Sequence, residues 1–249
     1  MKKSLLILAV AGSVLAGCAP SVQIAHGRSS GSPASSAAPA PAPADTAKPD
    51  LIAALQKTHK ATYKFAVNAA APEKQRIQGG GSFDPKAKKL STTTKVTGGK
   101  DPQSRQRIII AGDLYEKDAG ESTWVHLDLK RVKKDSYLQV DMTDPNGVAA
   151  FTKSIDTVRK TGPRGFKGTF DPSAGSEDFL PIGAPSIWII GGTADFTAFT
   201  DANGWVTRID VQVNNKETLK MTTTFSAHGK PVSVAKPKRV GEAMDFYYD

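Results

Sequence analysis

The chain predicts an α+β fold in which a large, curved antiparallel β-sheet, a half-barrel, wraps around two or three helices. Three observations predict it. Many segments alternate apolar and polar residues with a period of two, the pattern of a strand with one dry and one wet face. Short turn signals join these segments closely enough for hairpins. Only two stretches carry helical spacing, which is too little helix to cover roughly ten one-sided strands unless the sheet curls around it.

The first 17 residues, MKKSLLILAVAGSVLAG, place a short basic start before an apolar run and then small residues. That is the order of a secretory signal, and the run is too short to span a bilayer. Leu15, Ala16, Gly17 and Cys18 follow one another as in a bacterial lipobox, which implies cleavage before Cys18 and acylation of its sulfur. Cys18 is the only cysteine, so its use as an anchor leaves none for a disulfide. Residues 18–47 are rich in Pro, Ala, Ser and Gly and poor in large apolar side chains, the composition of a disordered tether. Extended at ~3.1 Å per residue, such a tether reaches roughly 90 Å from a membrane. Residues 48–249 then form one β-rich domain.

Within that domain a helix is expected in PDLIAALQKTHK, with Asp50 as N-cap and Leu51, Ala54, Leu55 and Thr58 on one side. It runs into the strand ATYKFAVNA, where Tyr63, Phe65 and Val67 alternate with polar neighbours. Strands are expected next at 75–84, 88–97, 105–111, 122–129 and 136–141. DPNGVAAFTKSIDTVRKTG carries Val148, Phe151, Ile155 and Val158 at helical spacing, with Lys160 and Gly162 as stop signals. Strands at 164–170 and 186–200 follow, the second containing Trp188, with a helical turn between them in SAGSEDFLPIG. Two strongly alternating runs close the domain: WVTRIDVQV, with Ile209 and Val211 on its dry side, and LKMTTTFSA, with Met221 and Phe225. DPKAKK, DANG and AHGK are the turns that join neighbouring strands, and the echo of GSFDP by GTFDP marks two strand ends where Pro supplies the stop. The runs GGG at 79–81 and GGT at 191–193 read as bulges or sharp bends of a curling sheet.

The order of these elements resembles the LppX and LprG family of actinobacterial lipoproteins. The residues that carry the resemblance are the lipobox, the Pro/Ala tether, the helix running into a strand over 50–69, GDLYEK followed by TWVHLDL over 112–129, and the closing series through Gly229 to Pro237. The ending GEAMDFYYD departs from that pattern. The resemblance implies a LolA- and LolB-like fold whose apolar cavity accepts the acyl chains of a lipid or lipoglycan. It supplies no polar site to carry over, so the cavity lining is taken from the inward sets: Tyr63, Phe65, Val67, Ile108, Ile110, Leu127, Phe151, Ile155, Val158, Trp188, Ile209, Val211, Met221 and Phe225.

Nothing in the sequence has the spacing of an enzyme. His26, His59, His126 and His228 do not form a two-histidine metal motif, and no nucleophile elbow or phosphate loop is present. His126 shares the polar face of its strand with Trp124 and Asp128, where a solvated imidazole is expected. Asp113, Glu116 and Asp118 fall in one loop region and Asp171, Glu177 and Asp178 in another, as solvated loop charge. No catalytic residue, cofactor or metal is expected. The net charge of +9 falls to +7 once Lys2 and Lys3 are removed with the signal. Basic clusters at Lys86, Lys88 and Lys89 and at Lys130, Arg131, Lys133 and Lys134 form solvated faces, with attraction to anionic lipid or wall polymer as the second reading.

These features point to a lipid carrier on the extracytoplasmic face of the cell membrane. Its partners would be lipid acyl chains, the membrane that holds Cys18, and an envelope exporter or lipid-transfer partner, with nucleic acid disfavoured by export. The rival is a non-enzymatic interaction module with a packed core and a basic outer face that binds wall polymer or another protein. The anchor is directly testable. Cys18→Ser is expected to leave the domain folded and to release it from membranes, because the anchoring energy lies in acyl chains at ~0.8 kcal/mol per buried methylene. A Ser variant that still sediments fully with membranes would show another anchor.

Overall fold

The computed structural model describes residues 45–248 apart from 100–101, 135, 137, 173–193 and 215–217. The signal, Cys18, almost all of the tether, Trp188, the GGT run and the helical turn expected in 173–183 lie outside the described residues. Residues Ala44–Asp249 form a compact unit by themselves.

That unit is built on a single sheet. Six strands come first: β1 (Tyr63–Ala70), β2 (Arg76–Asp84), β3 (Lys89–Thr97), β4 (Gln103–Ile110), β5 (Asp113–Asp118) and β6 (Trp124–Asp128). After a short helix come β7 (Ile155–Gly162), β8 (Gly165–Phe170), β9 (Ala194–Thr200), β10 (Val206–Asn214) and β11 (Thr218–Ser226), with β12 (Val240–Glu242) near the C-terminus. Their order across the sheet is β12-β6-β5-β4-β3-β2-β1-β11-β10-β9-β8-β7. Each group of consecutive strands is a meander, and the antiparallel ladder of β1 with β11, from Lys64 opposite Ser226 to Ala70 opposite Lys220, joins the two. Every neighbouring pair is antiparallel except β12 with β6. The result is an open, curved, half-barrel sheet with two α-helices among the described residues.

Side chains that pair across antiparallel strands share a face, so the register defines the inner surface. Tyr63, Phe83, Leu90, Ile109, Leu114 and Leu127 form one unbroken inward row from β1 to β6, each 3 % exposed or less. Helix α1 (Ala47–His59) packs against β7 and β10 and against α2 (Val148–Ser154), burying Leu51, Ala54 and Leu55. It begins three residues before the expected Asp50 cap. Asp45 Oδ1 accepts from the Ala47 N–H, while Asp50 lies in the first turn, 2.6 Å from Lys160 of β7. The loop between β6 and α2 buries Val132 and Leu138, and its Asn146 donates 2.9 Å to the Tyr63 hydroxyl.

Several expectations are corrected. Residues 155–162 are strand, not the second half of a helix. The helix α2 starts at Val148 after Gly147, with the carboxylate of Asp144 accepting from the Ala149 and Ala150 N–H groups of its first turn, and it ends at Ser154. The stretch after it is rich in β-branched Ile155, Thr157, Val158 and Thr161, and β8 offers it a ladder. The described residues of 136–141, all but 137, are irregular, not strand, and residues 113–118 are strand β5, not a charged loop. AHGK is a turn, but no strand follows it directly. The GGG run makes no bulge, since the ladders on both sides continue through it without a register shift; glycine serves close approach instead, a Cβ at Gly80 falling 2.8 Å from the Phe65 carbonyl oxygen.

The C-terminal residues form a strap. From β11 to β12 the chain passes the six strands β1 to β6 in thirteen connecting residues, the first four of which are the AHGK turn. Val234 is buried on the way, and Lys236 Nζ sits 5.5 Å from the ring centre of Tyr115. β12 then lies parallel to β6. There His126 is not a solvated imidazole. It stacks on Tyr115 and is held 2.8 Å from Asp113 by Nε2 and 2.8 Å from Glu242 of β12 by Nδ1. Burial pulls its pKa down, but the two carboxylates outweigh that and leave it above the ordinary value. A raised value means that this contact stabilises fully below about pH 6.5 and is lost as pH rises through the folded-state pKa. Urea midpoints of the parent are expected to fall more steeply over that rise than those of His126→Gln. Parallel pH profiles would show that the strap does not depend on the imidazolium.

Candidate functional site

The inner face divides into two unlike halves. Over β7 to β11 it is a close-packed core. Phe151 of α2 stands edge-on to Phe170 and to Phe196, with ring centres 5.2 Å apart in both pairs. Phe225 lies opposite Phe65 and edge-on to Tyr63 at 5.4 Å. Ile155, Ile209, Val211 and Met221 are buried in the same cluster, while Val158 on the edge strand is only partly buried.

Over β2 to β5 the inner face changes character beyond the Tyr63 row. The next inward positions in register are Phe65, Gly81, Thr92, Arg107, Glu116 and Val125, and the row after that holds Val67, Gly79, Thr94, Arg105 and Asp118. A floor of glycine and threonine therefore meets a wall of paired charges. Arg107 Nε donates to Glu116 Oε2 in a short contact. Arg105 makes a two-point contact with Asp118, 2.7 Å to Oδ1 and 3.1 Å to Oδ2, and lies 3.5 Å from Glu116. The two inner side chains, Arg107 and Glu116, are 17 % and 10 % exposed, whereas Arg105 and Asp118 reach 28 % and 53 %. The band thus grades from the apolar row to solvent. Its donors and acceptors are paired with one another across the β4–β5 hairpin.

The expected lining residues fall as follows. Tyr63, Phe65, Val67, Leu127, Phe151, Ile155, Ile209, Val211, Met221 and Phe225 are buried inner-face or helix residues. Ile108 and Ile110 are not on the inner face. Ile109 takes the inward place, opposite Leu90 and Leu114, while Ile108 pairs with Tyr115 on the outer face. Three consecutive isoleucines conceal the parity of β4, and the choice of the outer two also turned Arg105 and Arg107 outward. Ala111 and Gly112, both with positive φ, form the two-residue turn between β4 and β5. Reading Ala-Gly as that turn would have set each arginine opposite a carboxylate and revealed the band.

Two adjoining depressions of about 370 and 510 Å³ lie elsewhere, at the C-terminal end of α1 and the β2–β3 turn, and share Lys60, Pro85 and Lys86. They contain none of the inward residues of the sheet, so the register of the inner face defines the candidate site better than these hollows do. Among the described residues no three His, Cys, Asp or Glu side chains gather as a metal site requires.

Neither a protein-family model nor a curated protein sequence matches the chain. Among solved structures, LprF from Mycobacterium bovis is similar over 77 % of this chain and 98 % of its own, with 15 % identity and a TM-score of 0.47. An uncharacterized conserved protein from Thermus thermophilus is similar over 78 % and 98 %, with 8 % identity and a TM-score of 0.42. A LolA-superfamily protein from Nitrosomonas europaea is similar over 79 % and 96 %, with 12 % identity and a TM-score of 0.24.

The charged band has a measurable signature. Arg107→Met leaves Glu116 without its closest partner in a mostly buried position and is expected to cost about 1–3 kcal/mol in urea unfolding. Arg107→Met combined with Glu116→Met is expected to recover much of that loss. A double variant as unstable as the sum of both singles would show that the pair is not coupled.

Proposed function

We propose that the protein is a membrane-anchored lipoprotein that binds an amphiphilic lipid along the inner face of its sheet. It carries or presents that lipid at the extracytoplasmic face of the cell membrane, without covalent chemistry. The observation that carries the reading is the amphiphilic inner face of β2 to β6, where a continuous apolar row lies beside a graded band of arginines and carboxylates. Acyl chains would reach the apolar row only if the groups packed over it part, because its side chains are 3 % exposed or less, and the polar end of the lipid would meet the band near solvent. The lipobox at Cys18 supplies the anchor and the Pro/Ala tract the reach. The resemblance to LppX- and LprG-type lipoproteins supports the same assignment. The close packing over β7 to β11 favours the second reading, an interaction module with a filled core, and confines a lipid site to the other half of the sheet.

Two tryptophan substitutions separate these readings. Thr94 is a partly buried inward residue beside Arg105, whereas Val211 is 3 % exposed between Phe196 and Met221. Thr94→Trp is expected to lower uptake of a fluorescent acyl probe with little change in unfolding. Val211→Trp overpacks the core and is expected to cost about 1–3 kcal/mol. Lipid in organic extracts of purified protein, identified by mass spectrometry, would support the carrier. No extracted lipid, together with no probe uptake by delipidated parent protein, would overturn it.

A further inference from the structure

The AHGK turn, where the strap leaves β11, carries His228. Its ring is stacked on Trp205 of the β9–β10 connection, with ring centres 5.2 Å apart and planes 10° from parallel. Nε2 of His228 is buried and has no hydrogen-bond partner among the described residues, while the ring also hydrogen-bonds to the Val206 backbone. The turn around it is docked on its neighbours. Gly229 N–H donates to the Thr62 carbonyl at 2.9 Å, and Thr62 Oγ1 donates to the Lys230 carbonyl at 2.7 Å. Thr58 Oγ1 accepts from Val206 N–H at 3.0 Å, which ties the end of α1 to the same place.

A buried Nε2 is tolerable in a neutral imidazole, where that nitrogen carries only a lone pair. Protonation turns it into a second N–H, and a buried donor with no acceptor carries a desolvation penalty. The charged groups facing the ring pull both ways. Asp201, from the β9–β10 turn, attracts a proton, and Lys57, from α1, repels it. Both are already engaged: Asp201 accepts from the Asn203 and Trp205 N–H groups, and Lys57 donates to the Asn203 carbonyl at 2.6 Å. The face of Trp205 attracts a cation, but the Lys57 ammonium already lies 4.3 Å from its ring centre. Of the other charged groups on these elements, His59 faces Asp144, Arg208 is paired with Asp210, and Lys60, Lys64 and Lys230 are exposed. Burial is the largest of these effects and sets His228 below the ordinary histidine value.

We propose that this turn is an acid-opened latch at the root of the strap: protonation at Nε2 lifts His228 off Trp205 and breaks the contacts of Gly229 and Lys230 with Thr62. The far end of the strap answers in the opposite sense, since Asp113 and Glu242 hold His126 more firmly when it is protonated. Acid therefore loosens the root and keeps the tip fastened. Gly229 and Pro231 also wall the depression of about 510 Å³, so opening removes one of its sides. With a folded-state value below the 6.5 of a free imidazole, the latch is closed above about pH 6.5 and opens as pH falls through the folded-state value. Between those limits opening takes up one proton, so the opening constant rises about tenfold per pH unit. The latch does not depend on a lipid at the inner face.

The test follows backbone amide hydrogen exchange in the chain from residue 18 with Cys18→Ser, under conditions where the opening equilibrium limits exchange. After correction for the intrinsic effect of pH, protection of the Gly229 amide is expected to fall about tenfold per pH unit below about pH 6.5 and then to level off, while amides within β10 and β11 keep theirs. His228→Phe keeps a ring for Trp205 and cannot take up the proton, so its Gly229 protection is expected to stay constant over the same range. His228→Gln, which loses the stack, is expected to give a constant but lower protection. A proton NMR titration supplies a second readout, in which the His228 ring titrates below 6.5. Gly229 protection in the parent that is independent of pH overturns the proposal, as does a His228 ring that titrates at or above 6.5. So does a pH dependence that survives in both variants, since the proton would then belong to another group.

Discussion

The ladder between β1 and β11 is the contact on which the rest of the structure depends. Its partners lie some 150 residues apart in the chain, so it closes only at a large cost in loop entropy, and it carries seven registered pairs in return. Each meander can form from local hairpins. Only this ladder makes them one sheet with one inner face, and it places Phe65 against Phe225 at the centre of the core.

Given one sheet, strand parity decides the chemistry of its surface. The same hairpin register that places Ile109 inward also places Arg105 and Arg107 inward, opposite Asp118 and Glu116. Two arginines on the inner face are tolerable because each has a carboxylate across the hairpin, and because the band opens toward solvent. Under the helices the requirement is the reverse. Phe151, Phe170 and Phe196 leave no room for polar groups, and Gly168 is needed because a Cβ there would come within 2.9 Å of the Phe196 ring. One curved surface thus combines a packed half with an amphiphilic half.

The strap solves a different problem. Edge strands expose unpaired backbone groups and invite association, and β6 would be such an edge. β12 covers it in parallel, which is possible because the connection crosses the whole half-sheet instead of turning back as a hairpin would. The ion cluster of Asp113, His126 and Glu242 fastens the strap to the two strands beneath it. The residues beyond it are consequently displayed in a defined position.

Most of the fold was legible in the sequence because alternation and turn chemistry are local properties. The first helix, the strands of both meanders from β1 to β4 and β8 to β11, and the DPKAKK and DANG turns follow from residues within ten positions of each other. Residues 155–162 were misjudged because apolar spacing fits a helix and a strand equally over so short a stretch, and the decision belongs to β8, the strand that pairs with it. β5 was hidden because its charges resemble a loop until Arg105 and Arg107 are set opposite them. The inner band, the capture of His126 by Glu242 and the bond from Asp128 to Tyr248 depend on contacts between residues from 9 to about 120 positions apart. Composition and periodicity determined that this chain makes a one-sided, curling sheet. Which side chains share its inner face was decided by register, because a shift of one residue in a strand exchanges the two faces completely.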